Sequence, residues 1–276
     1  MIDLHAHSTA SDGQHAPSEV AKLAWQAGVR HLALTDHDTL DGLAQAQAAA
    51  RDLGLDLICG IEVSTRIDGM DIHVLGHFVR PDDAALRAYT QHQKGERRRR
   101  MERMVEKLQS LGKQVTMAQV ERIAGSDNLC RPHLARALGE LGACRSVQDA
   151  FTHFIGDDGP AFADQERPEA KDAIRLIRDA GGVATLAHPS VDGMERYHIE
   201  KLRDVGLGGL EVFHPDHDAQ RREKYLRIAR ELDLVPSGGS DFHGEKVAPD
   251  RGFGCSHLAE EHFEALKARA TTRVSL

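Results

Sequence analysis

A chain of 276 residues, 41 % hydrophobic and 28 % charged, is long enough for one barrel-sized domain, or one domain carrying an insertion, and has the composition of an ordinary soluble protein. Its net charge of −8, with histidine neutral, gives no general attraction for nucleic acid or membranes, so a polyanion has to be held locally. No segment approaches the roughly 20 apolar residues of a membrane span, the start lacks the charged-then-apolar pattern of a signal peptide, and Cys59, Cys130, Cys144 and Cys255 form no CxxC pair and suggest no disulfide framework, which fits a reducing cytoplasm.

Residues 2–4 predict a short apolar strand leading into His5. Val20, Leu23, Ala24 and Ala27 recur at helical spacing and stop at Gly28. Residues 31–35 predict a buried strand that ends at Asp36-His37. A second helix, on Leu43, Ala46, Ala50 and Leu53, stops at Gly54. Residues 57–59 lead through Gly60 to Glu62. Asp68-Gly69 has the chemistry of a tight hairpin turn joining 63–66 to 70–78.

From about residue 82 to 166 the rhythm changes. One long helix is predicted over 86–111, with Met101, Met104, Val105, Leu108 and Leu111 on its apolar stripe, followed by shorter helices at 119–123, 132–141 and 147–154. No strand interrupts them, so the stretch reads as a helical insertion. Strand–helix alternation resumes after Pro168, with strands at 183–187, 210–213 and 234–237 ending at His188-Pro189, His214-Pro215 and Ser240-Asp241-Phe242-His243. Repeated strand–helix units predict a mainly parallel sheet, closed or nearly so.

Seventeen histidines are many for this length, and several fall at strand ends, which share one face in a parallel barrel. The two imidazoles of His5-Ala6-His7 can enter one pocket, and neutral imidazole suits Zn²⁺, Mn²⁺ or Fe²⁺. Asp12, Asp36-His37-Asp38, Glu62, His188, His214, Asp241 and His243 add to the set. Singly, each has a bland reading: Asp12-Gly13 as an ordinary turn, Asp38 or Thr39 as a helix cap, Glu62 as an ion-pair partner. Together they are hard to explain by core packing. Arg97 to Arg100 reads as a solvated helix face, with a basic rim drawing a nucleotide into a cleft as the alternative.

In combination and in order, His5-Ala6-His7, Ser11-Asp12-Gly13, Thr35-Asp36-His37-Asp38, Gly60-Ile61-Glu62, Ala187-His188-Pro189 and Gly239-Ser240-Asp241-Phe242-His243 resemble the motifs of the PHP (polymerase and histidinol phosphatase) family. The resemblance covers residues 1–78 and about 167–276. It implies an α/β fold, a distorted (β/α)7 barrel built from residues 1–81 and 167–276, with an all-helical insertion at 82–166. It also implies a trinuclear metal site. One cation would take His5, His7, Glu62 and Asp241. A second would take Glu62, His188 and His73, with His77 as the fallback because it faces the same side of an ideal strand. A third would take Asp12, His37 and His243.

Two or three divalent cations are implied, Mn²⁺ first, with Zn²⁺, Fe²⁺ or Mg²⁺ as alternatives; Asp12, where some relatives have histidine, favours the harder ions. Such a cluster activates water to attack phosphorus in line, with Glu62 bridging, Asp241 handling a proton and His37 taking part. The helical insertion and the 129–136 segment resemble the branch that includes 3′,5′-nucleotide bisphosphate phosphatases and enzymes trimming RNA from the 5′ end. In that branch Arg131 and His133 would bind phosphate, with Ser126 and Asn128 of the same loop as weaker candidates; His214 and His217, at another strand end, are read as substrate contacts or general acids. The expected activity is removal of one phosphate, the 3′ one, from a nucleotide such as adenosine 3′,5′-bisphosphate. The alternatives are a 5′-to-3′ exoribonuclease on short RNA, a histidinol-phosphate phosphatase, and a non-catalytic metal-binding accessory module. Nothing in the sequence calls for a membrane or an obligate protein partner.

Overall fold

The structure, a computed structural model describing residues 1–256 and 258–270, is built on a seven-stranded sheet whose strands lie in chain order, β1 to β7. They are β1 (Ile2–Asp3), β2 (His31–Leu34), β3 (Asp56–Ile67), β4 (Met70–His77), β5 (Val183–Leu186), β6 (Gly209–Phe213) and β7 (Val235–Gly238). The first and last strands meet just beyond their ends. Leu4 N–H donates to Gly238 O at 3.1 Å and His7 N–H to Phe242 O at 2.8 Å, which nearly closes the sheet into a barrel. Closure needs a close approach: a Cβ at Gly239 would fall on the backbone nitrogen of His5.

The expected parallel order holds for β1–β2–β3 and for β5–β6–β7, but β4 is antiparallel to both its neighbours. The cause is local. Asp68 and Gly69 both take positive φ, 51° and 82°, the two-residue turn whose twist matches a hairpin. β3 and β4 are also longer than the short strands around them, so the hairpin continues past the rim of the barrel.

Helices cover the outside. α1 (Pro17–Gln26) and α2 (Leu43–Leu53) set Val20, Ala24, Leu43, Ala46 and Ala50 against Leu32 and Leu34. α7 (Ala170–Asp179), α8 (Arg196–Asp204) and α9 (Ala219–Glu231) cover β3 to β6, with Ile174, Ile177, Ile199, Leu202 and Ile228 in that core. A helix that the sequence reading did not expect, α10 (Glu260–Arg269), buries Phe263 and Leu266 against Ile2, Leu4, Val183 and Val235. Burying two such side chains contributes roughly 2–3 kcal/mol each.

Between β4 and β5 run α3 (Ala84–Ser110), α4 (Met117–Ala124), α5 (Arg131–Glu140) and α6 (Val147–Ala150), the last continued by a wider π-type turn over Phe151–Ile155. Asp83 caps α3, accepting the backbone N–H of Ala85 and Leu86 at 3.1 Å each. These helices gather round their own apolar cluster, which includes Met101, Met104, Leu108, Val120, Leu134, Leu138 and Ile155.

Candidate metal centre

The C-terminal ends of β1, β2, β5 and β7 point to one mouth and deliver His5, His7, His37, His188, Asp241 and His243 there. Glu62 comes from within β3, where it bridges to His37. Because β4 runs the other way, its first half lies at that mouth, and this is how His73 arrives. His77, four residues on, is instead held inside the barrel, where its Nε2 lies 2.9 Å from Leu4 O and its Nδ1 3.3 Å from Thr185 Oγ1. Both its nitrogens are occupied.

Glu62 is the hub. Its Oε2 lies 3.3 Å from His5 Nε2, 3.1 Å from His7 Nε2 and 3.1 Å from His37 Nδ1. Its Oε1 lies 3.2 Å from His188 Nε2 and 3.5 Å from His73 Nδ1. Asp241 Oδ1 is 3.4 Å from His5 Nε2 and 3.3 Å from His7 Nε2. Asp12 faces His243 Nε2 at 3.4 Å and His37 Nε2 at 3.9 Å. His5, His7 and Glu62 are at most 1 % exposed.

Several of these atoms are buried yet make no hydrogen bond: His5 Nε2, both nitrogens of His7, His37 Nδ1, His73 Nδ1 and Glu62 Oε2. Orphaned buried polar atoms are rare and need a reason. Two donors that each sit about 2.1 Å from a shared ion are roughly 3.0–3.4 Å apart, which is the spacing seen. The nitrogen and carboxylate donors form overlapping sets, among them His5–His7–Asp241, His5–Glu62–His188, His37–Glu62–His73 and His7–Asp12–His37–His243. Imidazole with carboxylate suits divalent first-row cations. The residues therefore fit divalent metal binding.

The electrostatics agree. At Glu62 burial raises the pKa, but His37, His5 and His73 outweigh it and hold the carboxyl well below its ordinary range. Asp12 is likewise held low by His37 and His243 against burial. At His37 burial wins and pushes the imidazole down to about 3, whereas at His5 the carboxylates of Glu211 and Glu62 overcome burial and lift it to about 9. Buried ionised carboxylates need a positive partner, and a cation supplies one. Asp241 itself takes a φ of 51°, an uncommon conformation for a non-glycine residue at a site of this kind.

Supporting residues fix the donors. Glu211, fully buried on β6, accepts from His5 Nδ1–H at 2.9 Å and from the backbone N–H of His188 at 2.7 Å. β6 has one residue more than β7 just beyond it, since Glu211 pairs with Ser237 but Phe213 with Gly238. Asp36 accepts from Ser8 N–H, Ser8 Oγ–H and Ser11 Oγ–H, each at 2.7 Å, and so shapes the turn carrying Asp12. Asp192 Oδ2 lies 3.4 Å from His188 Nδ1. Arg251 pairs with Asp241 Oδ2.

The expected substrate contacts separate on inspection. His214 is buried; its Nδ1 accepts from Asp216 N–H at 3.1 Å, leaving Nε2–H to face Asp241 Oδ2 at 3.4 Å. His217 is also buried and donates from Nδ1 to Val212 O at 2.9 Å. Asn128 Nδ2–H donates to the backbone oxygen of His37 at 2.7 Å, and His133 Nδ1 accepts from Cys130 N–H at 3.1 Å. Each of these four side chains is held by the protein, and Asn128 Oδ1 and His217 Nε2 are buried with no partner among the described residues. Ser126 Oγ is buried without a partner among the described residues. Asp38 is no helix cap; it accepts from Ser64 N–H at 2.9 Å and from Tyr89 and Arg97, while Thr39 Oγ1 accepts from Asp41 N–H at 3.2 Å.

A cavity of ≈160 Å³ opens beside the cluster, with Asp12, His37 and His73 on one wall. Arg97, Arg100, Arg131 and Arg167 also line it, interspersed with Ser64, Cys130, Pro132, Phe151 and Gln165. The basic run on α3 is thus split by helical period. Arg97 and Arg100 are 7 % and 6 % exposed and face the cavity, whereas Arg98 and Arg99 lie outside, paired with Glu121 and Glu96. The solvated-face reading holds only for the latter two. Arg131, at the start of α5, lines the cavity and also reaches Asp157 Oδ1 at 2.6 Å.

The sequence profile of the PHP domain matches residues 3–182. The chain belongs to the PHP family. A 5′-3′ exoribonuclease of Haemophilus influenzae is 36 % identical to this PHP protein over 87 % of the chain and 89 % of the relative. A phosphoribosyl 1,2-cyclic phosphate 1,2-diphosphodiesterase of Eggerthella lenta is 34 % identical over 88 % and 94 %. A 3′,5′-nucleoside bisphosphate phosphatase of Chromobacterium violaceum is 33 % identical over 91 % and 88 %. Among solved structures, a protein of Bifidobacterium adolescentis assigned as a metal-dependent phosphoesterase superposes with a TM-score of 0.92 at 29 % identity, covering 99 % of this chain and 98 % of that one. The PHP chain is a metal-dependent phosphoric ester hydrolase. Among the described residues no helix is long and apolar enough to cross a membrane.

Proposed function

We propose that the protein removes one phosphate, the 3′ one, from nucleotides carrying both 3′- and 5′-phosphates. The observation that carries this reading is the single cavity in which the metal-type residues Asp12, His37 and His73 face a wall of arginines. A substrate held there has one phosphate at the cations and room for a second at the guanidinium groups.

His5, His7, Glu62 and Asp241 would hold one ion, Glu62, His188 and His73 a second, and Asp12, His37 and His243 a third, with Mn²⁺ the ion favoured by the carboxylate of Asp12. When bound, the cations supply Lewis acidity, screening the phosphoryl oxygens and strengthening water as a nucleophile. Glu62 orients five imidazoles through its two oxygens and so sets the spacing of the sites. Asp241, whose Oδ2 faces His214 Nε2–H and Arg251, would take up the proton that the attacking water gives up and hand it to the departing alkoxide. Arg131 steadies the phosphate that is not cut, and the helices of residues 82–166 act as an insertion that brings it over the barrel mouth, which residues 1–81 and 167–276 form.

A second reading, 5′-to-3′ trimming of short RNA, is favoured by the H. influenzae relative. In it the same residues would cut a phosphodiester. The assay is Mn²⁺-loaded protein on adenosine 3′,5′-bisphosphate and on a 5′-labelled short RNA. Release of inorganic phosphate and adenosine 5′-phosphate supports the first reading. Stepwise mononucleotide release with no action on the bisphosphate replaces it with the second, and activity only on other phosphate esters defeats both.

A further inference from the structure

Asp12 and His243 reach the metal centre from opposite ends of the chain, on the turn after β1 and on the segment after β7. For both to share an ion with His37, their separation has to be fixed. Asp12 Oδ1 lies 3.4 Å from His243 Nε2, and Asp12 Oδ2 lies 3.9 Å from His37 Nε2. His37 is tied to β3 through its bridge to Glu62. The His243 ring is turned by a near neighbour: Nδ1–H donates to Asp241 O at 2.9 Å, which leaves Nε2 facing Asp12. Beyond the Ala6–Phe242 bridge, no strand ladder joins the two turns among the described residues.

Gln14 joins them instead. Its backbone N–H donates to His243 O at 2.8 Å. Its Nε2–H donates to Glu245 Oε1 at 3.0 Å, while its Oε1 accepts from Lys246 N–H at 2.8 Å. Reversing the amide would set oxygen against carboxylate and NH₂ against N–H, so one orientation alone satisfies both partners. The other oxygen of Glu245 accepts from His15 Nε2–H at 3.1 Å, and the His15 ring stacks on Phe242 with centroids 5.9 Å apart. Thr9 N–H donates to His15 O at 2.8 Å and closes the turn that carries Asp12. The approach is tight, since Gly244 takes a φ of 90° and a Cβ there would fall 2.5 Å from Gln14 Cβ.

We infer that Gln14, through Glu245, is a positioning residue for the ion of Asp12, His37 and His243, and sets its affinity separately from that of the other ions. The inference rests on the three-ion reading above. Gln14 and Glu245 act by holding two donors at their spacing. Donors for the other ions are braced from inside the barrel, as Glu211 braces His5 and His188. Partners of this kind are worth about 10- to 100-fold in metal affinity.

Full-length wild type, Gln14→Glu and the double variant Gln14→Glu with Glu245→Gln are dialysed against graded free Mn²⁺, and bound manganese per chain is counted by atomic emission. Gln14→Glu keeps the side-chain volume but sets two carboxylates face to face. It is expected to need roughly 10- to 100-fold more free Mn²⁺ to take up one ion, with the remaining ions bound as in wild type. The double variant restores the pairing with the roles exchanged. The carboxamide at 245 donates to the carboxylate at 14, which still accepts from Lys246 N–H, so most of the affinity should return. In chelator, Gln14→Glu should melt within roughly 2 °C of wild type, as a change at groups near the surface does. Unchanged uptake in Gln14→Glu, a loss spread equally over every ion, or no recovery in the double variant overturns the inference. Should wild type itself saturate at two ions, the three-ion reading fails by itself. The inference then stands if Gln14→Glu loses one of the two within the same range of free Mn²⁺, and falls if the two proteins fill alike.

Discussion

Glu211→Gln tests how far the metal-type residues depend on what stands behind them. The carboxylate accepts two hydrogen bonds, from His5 Nδ1–H at 2.9 Å and from the backbone N–H of His188 at 2.7 Å. An amide of the same shape accepts through only one of its ends. If its oxygen keeps His188 N–H, its NH₂ faces His5 Nδ1. The imidazole then carries its proton on Nε2, the atom 3.3 Å from Glu62 and 3.4 Å from Asp241 that is needed as a metal donor. If the amide is reversed, two buried N–H donors oppose each other at His188. Leaving one such group unsatisfied costs roughly 1–3 kcal/mol, and loss of a partner that orients a ligating histidine weakens metal binding about 10- to 100-fold. The assay is competition between the protein and a chromophoric chelator for Mn²⁺ or Zn²⁺, alongside turnover as a function of metal concentration. The variant is expected to need that much more metal for half-maximal activity. Wild-type affinity and turnover in the variant would refute the argument that Glu211 sets the His5 tautomer.

Chelation should abolish turnover and lower Tm by roughly 5–10 °C, since ions at about a hundred times their Kd stabilise the fold by about 2.7 kcal/mol; melting curves unchanged by chelator and by added Mn²⁺ would show that nothing is bound there. Asp241→Ala should reduce phosphate release by about 10²–10⁴-fold while melting as wild type does in chelator; retained turnover would take Asp241 out of the hydrolytic machinery. Arg97→Met strands the buried Asp38 carboxylate and should destabilise the fold by about 3–5 kcal/mol in urea unfolding; a change below about 1 kcal/mol would mean that the pair is solvated.

The barrel was legible because apolar strands were punctuated by histidine and carboxylate at their ends, a pattern that core packing does not produce. The antiparallel β4 was half legible: Asp68-Gly69 announced a hairpin, and the consequence for strand direction follows from it. The helix α10 was not, since only Phe263 and Leu266 mark its buried face. At the site, spacing alone could not tell His73 from His77, two residues on one face of a strand, because the difference lies in what each meets across the barrel. Glu211 carried a signal that was passed over, a charge inside an apolar strand. Asp192 carried none, being a loop carboxylate four residues beyond His188. For His217, Asn128 and His133 sequence cannot separate side chains that brace a site from those that touch its ligand, because the two are chemically alike, and each of these makes one hydrogen bond to the protein. Arg97 and Arg100 differ from Arg98 and Arg99 only by which way a helix turns.

The order of segments along the chain also bears on how such a protein can change. The donors for the ions sit on barrel strands or in the loops that follow them, whereas Arg97, Arg100 and Arg131 all belong to the helices threaded between β4 and β5. Changes in that interval that keep the Arg97–Asp38 pair and the bond from Asn128 to the backbone of His37 can therefore reshape what is admitted while the hydrolytic floor stays as it is. Grafting this interval onto another barrel of the same kind, with an aspartate at the position of Asp38 to meet Arg97, should transplant its appetite for anions.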